Sequence, residues 1–119
     1  DLELYKEIVE EHPDNSDAWL DYSDALRDRD CLSEAIGILV VAAKTYPDKV
    51  EFYYRLAALL LLNGETNNAF QVLTTAISKD ELKKNMQEFY GYINELELDE
   101  RFLDIIEQFK RDIDNQKSE

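Results

Sequence analysis

The chain has 119 residues, enough to bury one continuous core, and its formal net charge is −14. Because affinity for nucleic acid or an anionic membrane depends on Lys and Arg that neutralise phosphate, this charge argues against both as partners. One cysteine, Cys31, cannot form an internal disulfide, and with one histidine, His12, it makes no ligand set for structural zinc. No apolar run approaches the ~20 residues that span a bilayer, so we expect a soluble protein without membrane insertion, with the cytoplasm slightly favoured.

Apolar residues recur at spacings of three and four along most of the chain, which is the period of amphipathic α-helices. Turn-forming residues interrupt this pattern at short intervals. The sequence therefore predicts helices over residues 2–11, 17–27, 32–45, 50–62, 67–78, 82–96 and 99–113.

Proline, glycine and capping residues mark the predicted helix boundaries. Pro13 and Pro47 lack a backbone N–H and disfavour helical geometry before them, so they end the first and third helices. Residues 14–16 offer side-chain oxygens that cap the second helix, and Gly64 supplies a left-handed residue after the fourth. Two pairs resemble capping boxes that open the fourth and sixth helices: Asp48 with Glu51, and Ser78 with Glu81.

The apolar skeleton repeats after 34 residues. A unit of that length built from two helices cannot bury its apolar face alone and must stack on neighbouring units. The repeat therefore predicts an all-α solenoid whose function lies on a surface and not in a catalytic pocket. The matching pairs are Trp19 and Tyr53, Tyr22 and Leu56, Ala35 and Ala69, Leu39 and Leu73, and Ala42 and Ala76.

This pattern resembles the tetratricopeptide repeat (TPR), a helix-turn-helix unit with small residues where two helices approach closely. In residues 16–49 the family's motif is matched by Trp19, Tyr22, Ser23, Ala35, Leu39, Ala42 and Pro47. In residues 50–83 it is matched by Tyr53, Leu56, Ala57, Gly64, Ala69, Leu73 and Ala76, with Glu81 in place of the final proline. The resemblance implies a right-handed α-α superhelix of antiparallel helix pairs with a concave groove and a C-terminal capping helix.

The resemblance also divides the chain, which we expect to form a single domain. Leu103 and Lys110 stand where a further repeat would have alanines, so the last helix is expected to be a cap with one apolar face and one charged face. The expected parts are 1–13 as the second helix of a preceding unit, 16–49 and 50–83 as repeats, 84–113 as a degenerate repeat and cap, and 114–119 as a frayed tail.

The sequence carries no constellation of residues that indicates catalysis. It has no Gly-rich phosphate loop, no HExxH or CxxC motif, and no second histidine to serve as the base for a nucleophile. His12 is expected in a surface loop, and Asp28 and Asp30 in a solvated turn without the ligand spacing of a calcium loop. We therefore expect no enzyme activity, no metal and no cofactor.

The resemblance implies that the first helix of each unit lines the groove, with one acidic and one aromatic wall. Successive helical residues advance by about 100°, so the run Leu59–Leu62 cannot face one core stripe. The register sends Leu59 and Leu60 inward and leaves Leu61 and Leu62 near the groove. The expected partner-binding residues are Leu20, Asp21, Asp24, Tyr54, Arg55, Ala58, Leu61, Leu62, Phe89 and Tyr92.

These residues suggest a scaffold that binds a protein or peptide segment, extended or helical, with apolar anchors and basic flanks. Two alternatives stay open. Aspartates at positions 17, 21, 24 and 28 lie on one helical stripe, which can also be a merely solvated face. Val40 and Val41 are expected to point outward, so the chain can instead be a structural spacer or a self-association segment.

Overall fold

The computed structural model describes residues 1–81, 85–93 and 98–117, and the backbone alone for Tyr90, Tyr92 and Lys117. The described residues form α-helices and no strand, which confirms the predicted all-α class. The helices are α1 (Leu2–Glu11), α2 (Ser16–Asp28), α3 (Leu32–Thr45), α4 (Val50–Leu62), α5 (Thr66–Lys79), α6 (Gln87–Ile93) and α7 (Glu100–Lys117).

Local sequence signals set most of these boundaries. α1, α3 and α4 have the predicted bounds, and α2 and α5 are longer by one residue at each end. The Asn15 side chain caps α2 by accepting a hydrogen bond from the backbone N–H of Asp17 at 3.1 Å. Gly64 follows α4 with a φ of 81°, in the left-handed region that glycine tolerates without steric cost.

Both predicted capping boxes are wrong. α4 has Lys49 at its N-cap and no side-chain capping bond, so Asp48 does not cap it. Ser78 lies within α5, which continues to Lys79. A serine followed three residues later by a glutamate can also occur in the last turn of a helix. Here Ser78 lies within the helical periodicity of α5 and does not begin a new helix.

The sixth and seventh helices differ in length from the prediction. α6 occupies Gln87–Ile93, the middle of the predicted helix 82–96, whose ends at 82–84 and 94–97 lie outside the described residues. α7 continues to Lys117, so the frayed tail expected to begin at residue 114 is helical up to that point. Side chains on its exposed face form local hydrogen bonds such as that between Gln108 and Asp112. These bonds stabilise the end of the helix, where few side chains are buried.

The helices pack in chain order, and α4 lies at the centre. Each helix from α1 to α4 packs on the next, α4 also packs on α6, and α5 also contacts α7. Eight residues of α4 are buried, whereas α1 buries Val9 alone. The described chain measures 46 × 30 × 19 Å along its principal axes, an extended arrangement for helices that pack mainly on neighbours in sequence.

Small side chains hold the helix pairs together. Ala35, Ala42, Ala69 and Ala76 each have 0% exposure, as the repeat predicts. A methyl side chain lets two helix backbones approach closely, and adjacent bulky residues then fill the remaining space. The alanine positions therefore depend on size as well as on hydrophobicity.

We predict opposite effects of enlarging two side chains on α3. Ala42→Leu should lower the free energy of unfolding by about 1–3 kcal/mol, because the added atoms have no room in a close-packed contact. Gly37→Ala should raise it by about 0.5–1 kcal/mol, because Gly37 is exposed and a Cβ there meets nothing within 4 Å. Urea denaturation measures both, and a neutral Ala42→Leu would contradict the close contact.

Candidate partner-binding surface

Arg55 joins three helices through one side chain. Its Nη1 donates to Asp24 Oδ2 on α2 at 3.0 Å, and its Nε donates to Glu88 Oε2 on α6 at 2.9 Å. Nη1 also lies 3.4 Å from the carbonyl oxygen of Leu20. The Arg55 side chain is 15% exposed. These bonds connect α4 to α2 and to α6.

We call the face around this guanidinium the Arg55 surface and define it by the residues that remain at least partly exposed there. Three carboxylates, of Asp21, Asp24 and Glu88, outnumber the single guanidinium. Asp21 is exposed, whereas Asp24 and Glu88 retain 34% and 27% of their side-chain exposure. The face is therefore acidic although its centre is an arginine. Its members are Leu20, Asp21, Asp24, Arg55, Leu62 and Glu88, whereas the predicted member Leu61 lies about 120° around α4 from Arg55.

The acidic character extends along α2. Asp17 and Asp28 are exposed, and their spacing of four residues from Asp21 and Asp24 puts all four carboxylates on one stripe. Arg27 pairs with Asp28 at 2.9 Å. Within the described part of the chain, neither Asp17 nor Asp21 forms an ion pair. Their charges therefore remain available to solvent and to a basic ligand.

Leucines supply the apolar part of the Arg55 surface. Leu59 and Leu60 are 3% and 7% exposed and face the core, which confirms their predicted orientation. Leu61 and Leu62 are only partly buried. Leu62 lies two helical turns beyond Arg55 on the same stripe of α4. Of these two leucines, Leu62 therefore belongs to the face that carries the carboxylates.

Three of the expected partner-binding residues are buried and do not belong to this surface. Tyr54, Ala58 and Phe89 each have 0% exposure. The Phe89 ring stacks on Phe102 of α7 with a centroid distance of 6.2 Å, so α7 covers it. The predicted aromatic wall is wrong for Tyr54 and Phe89, and the side chain of Tyr92 lies outside the described residues.

Tyr54 is held by a buried carboxylate that the sequence did not indicate. Its hydroxyl donates to Asp80 Oδ2 at 2.9 Å, and Asp80 is 3% exposed. Asn85 donates to the same carboxylate from its backbone N–H and from Nδ2, each at 3.1 Å. Burial raises the pKa of the Tyr54 phenol, and the hydrogen bond and charge of Asp80 act in the same direction. The pair fastens α4 to the end of α5.

A second partly apolar region lies between α1 and α3. Val41 is 49% exposed, as predicted, and Val40 is partly buried. Val41 borders a cleft of about 250 Å³ that Trp19 of α2 also lines. The cleft residues are Lys6, Val9, Glu10, Trp19, Tyr22, Ile38 and Val41.

The described residues contain no group of three or more His, Cys, Asp or Glu side chains placed to hold a metal ion. Within the same part of the chain, no helix has both the length and the apolar character needed to cross a membrane. Comparison with models of protein families, with curated proteins and with solved structures gave no match. What the chain does must therefore be inferred from its own residues.

We predict that Arg55 matters for stability because of the two carboxylates that it separates. Arg55→Met should lower the free energy of unfolding by about 1–3 kcal/mol, since Asp24 and Glu88 then face each other without the guanidinium. Adding Asp24→Asn and Glu88→Gln should restore part of that loss. Arg111→Met is the control, because Arg111 and Glu107 are 61% and 72% exposed and such pairs contribute little. Equal losses for the two methionine variants would contradict the bridging role.

We predict that Tyr54 makes the protein sensitive to alkali. Its folded-state pKa is raised, so the native protein keeps a proton that the unfolded chain loses above about pH 10. The contribution of this proton to the free energy of unfolding is complete below pH 10. It is lost as pH rises, by up to about 1.4 kcal/mol per pH unit. Urea denaturation should show that the free energy of unfolding falls less between pH 9 and 11 for Tyr54→Phe than for the unaltered chain. The same pH dependence in both proteins would contradict the prediction.

Proposed function

We propose that this chain is a non-catalytic binding module of the TPR type that captures a protein or peptide segment through the Arg55 surface. The 34-residue repetition supports the family assignment, together with the complete burial of the alanines at the repeated positions. α2 and α3 fall within residues 16–49, and α4 and α5 within residues 50–83, as two helix pairs require. The curved superhelix and its concave groove belong to this proposal.

The chemistry of the surface suggests the kind of partner. Asp17 and Asp21 present exposed carboxylates, and Leu20 and Leu62 present partly exposed leucine side chains. Contiguous apolar surface rimmed by charge is typical of protein interaction sites. A segment with apolar anchors and Lys or Arg flanks complements both features. The observation that carries the proposal is this combination of an exposed acidic stripe with partly exposed leucines.

The competing proposal is a structural spacer or self-association segment. Its support is Val41, which is 49% exposed beside the cleft between α1 and α3. A spacer needs no ligand on the Arg55 surface, so the two proposals differ in whether a basic segment binds saturably. We favour the binding module because self-association has to overcome a net charge of −14 on each copy.

We predict that neutralising the acidic stripe weakens capture of a basic segment. The probe is a synthetic peptide with leucines separated by proline and flanked by lysines, which cannot form a continuous helix. Asp17→Asn with Asp21→Asn should weaken binding about twofold to thirtyfold, since each of the two exposed ion pairs contributes about 0.2–1 kcal/mol. Fluorescence anisotropy of the labelled peptide measures the affinity, and added salt should weaken it.

The matched control is Asp104→Asn with Glu107→Gln on α7, which removes the same number of exposed charges elsewhere. Leu62→Ala should weaken binding further, whereas Tyr54→Ala would damage the core. Equal affinities for the stripe variant and the α7 control would contradict the proposed surface. Absence of saturable binding by the unaltered chain would favour the spacer.

A further inference from the structure

α1 exposes an apolar stripe that its own packing does not use. Leu4, Tyr5 and Ile8 are 55%, 37% and 36% exposed. Ile8 is one helical turn from both Leu4 and Tyr5, so the three side chains form one stripe with Ile8 at its centre. Val9, which is buried, follows Tyr5 by four residues and so lies beside the stripe, and Leu2 packs on the core. α1 therefore has a broad apolar face, and the described residues cover only the part of it that carries Val9 and Leu2.

Acidic side chains border this stripe. Glu7 lies three residues after Leu4, and Glu11 three residues after Ile8, so each carboxylate neighbours a member of the stripe. Both glutamates are exposed. Lys6, the only basic residue of α1, lies more than 150° around the helix from Leu4 and Ile8 and lines the cleft beside α3. The edge of the stripe is therefore negative.

We propose that the α1 stripe docks a basic amphipathic helix of a partner protein. The backbone N–H and C=O groups of α1 are bonded within the helix, so a strand cannot add to it and recognition depends on side chains. Residues one turn apart form a ridge that fits the groove of another helix. Glu7 and Glu11 complement Lys or Arg beside the apolar residues of that partner. A second copy of this chain is a poor occupant, because it would bring the same glutamates against each other.

This docking surface is separate from the Arg55 surface and does not depend on the proposed function. The probe is an amphipathic helix of leucine and lysine, with a leucine–glutamate helix of the same apolar pattern as its charge control. Isothermal titration calorimetry measures affinity, and NMR chemical shifts locate the contact. We expect the leucine–lysine helix to bind with the largest shifts in α1, and the leucine–glutamate helix to bind at least tenfold more weakly.

Leu4→Gln with Ile8→Gln should weaken binding of the leucine–lysine helix about tenfold or more, because both side chains are central to the contact. Both residues are exposed, so the variant should fold, and circular dichroism checks this. Leu103→Gln is the control, since Leu103 is 49% exposed on α7 and should change affinity less than twofold. Glu7→Gln with Glu11→Gln should reduce the salt dependence of binding while keeping the fold.

The result that overturns the proposal is binding that Leu103→Gln weakens as much as the α1 variant does, or shifts that map outside α1. Dimerisation that Leu4→Gln with Ile8→Gln abolishes would also overturn it, by assigning the stripe to a second copy. The Asp17→Asn and Asp21→Asn variant should still bind the leucine–lysine helix at α1. This variant therefore separates failure of the α1 proposal from failure of the Arg55 surface.

Discussion

The burial of α4 on most of its circumference is the constraint on which the rest of the structure depends. A helix with eight buried residues leaves few positions for a charge, and Arg55 occupies one of them. A partly buried guanidinium needs acceptors that compensate for lost water. Asp24 and Glu88 provide them from the helices on either side. The packing of α4 and the acidic surface around Arg55 are therefore consequences of the same arrangement.

The two proposed docking surfaces follow one physical pattern. Each combines partly exposed apolar side chains with carboxylates, as with Leu20 and Asp24 one turn apart on α2, and Leu4 and Glu7 one turn apart on α1. Carboxylates beside exposed leucines oppose association between identical copies and favour basic partners. The net charge of −14 acts in the same direction over the whole chain. α1 has a single buried residue, so its own packing leaves most of its apolar side chains at least partly exposed.

Periodicity predicted most of the fold because helix formation and alanine contacts depend on local spacing. It placed α3 and α4 correctly and identified Ala42 as a core residue. The family resemblance remains a prediction. The site was predicted less well, because periodicity does not reveal what covers a face. The buried Tyr54 hydroxyl is satisfied by Asp80, which belongs to no sequence motif. Phe89 is covered by Phe102, which lies on another helix.

Native-state hydrogen exchange tests the central role of α4 most directly, because it measures the free energy of opening for each helix separately. We predict that amides in the middle of α4, around Leu56–Leu60, exchange only when the whole chain unfolds, and that those of α1 exchange through local opening at much lower free energy. Amides of α4 that exchange as readily as those of α1 would contradict the account.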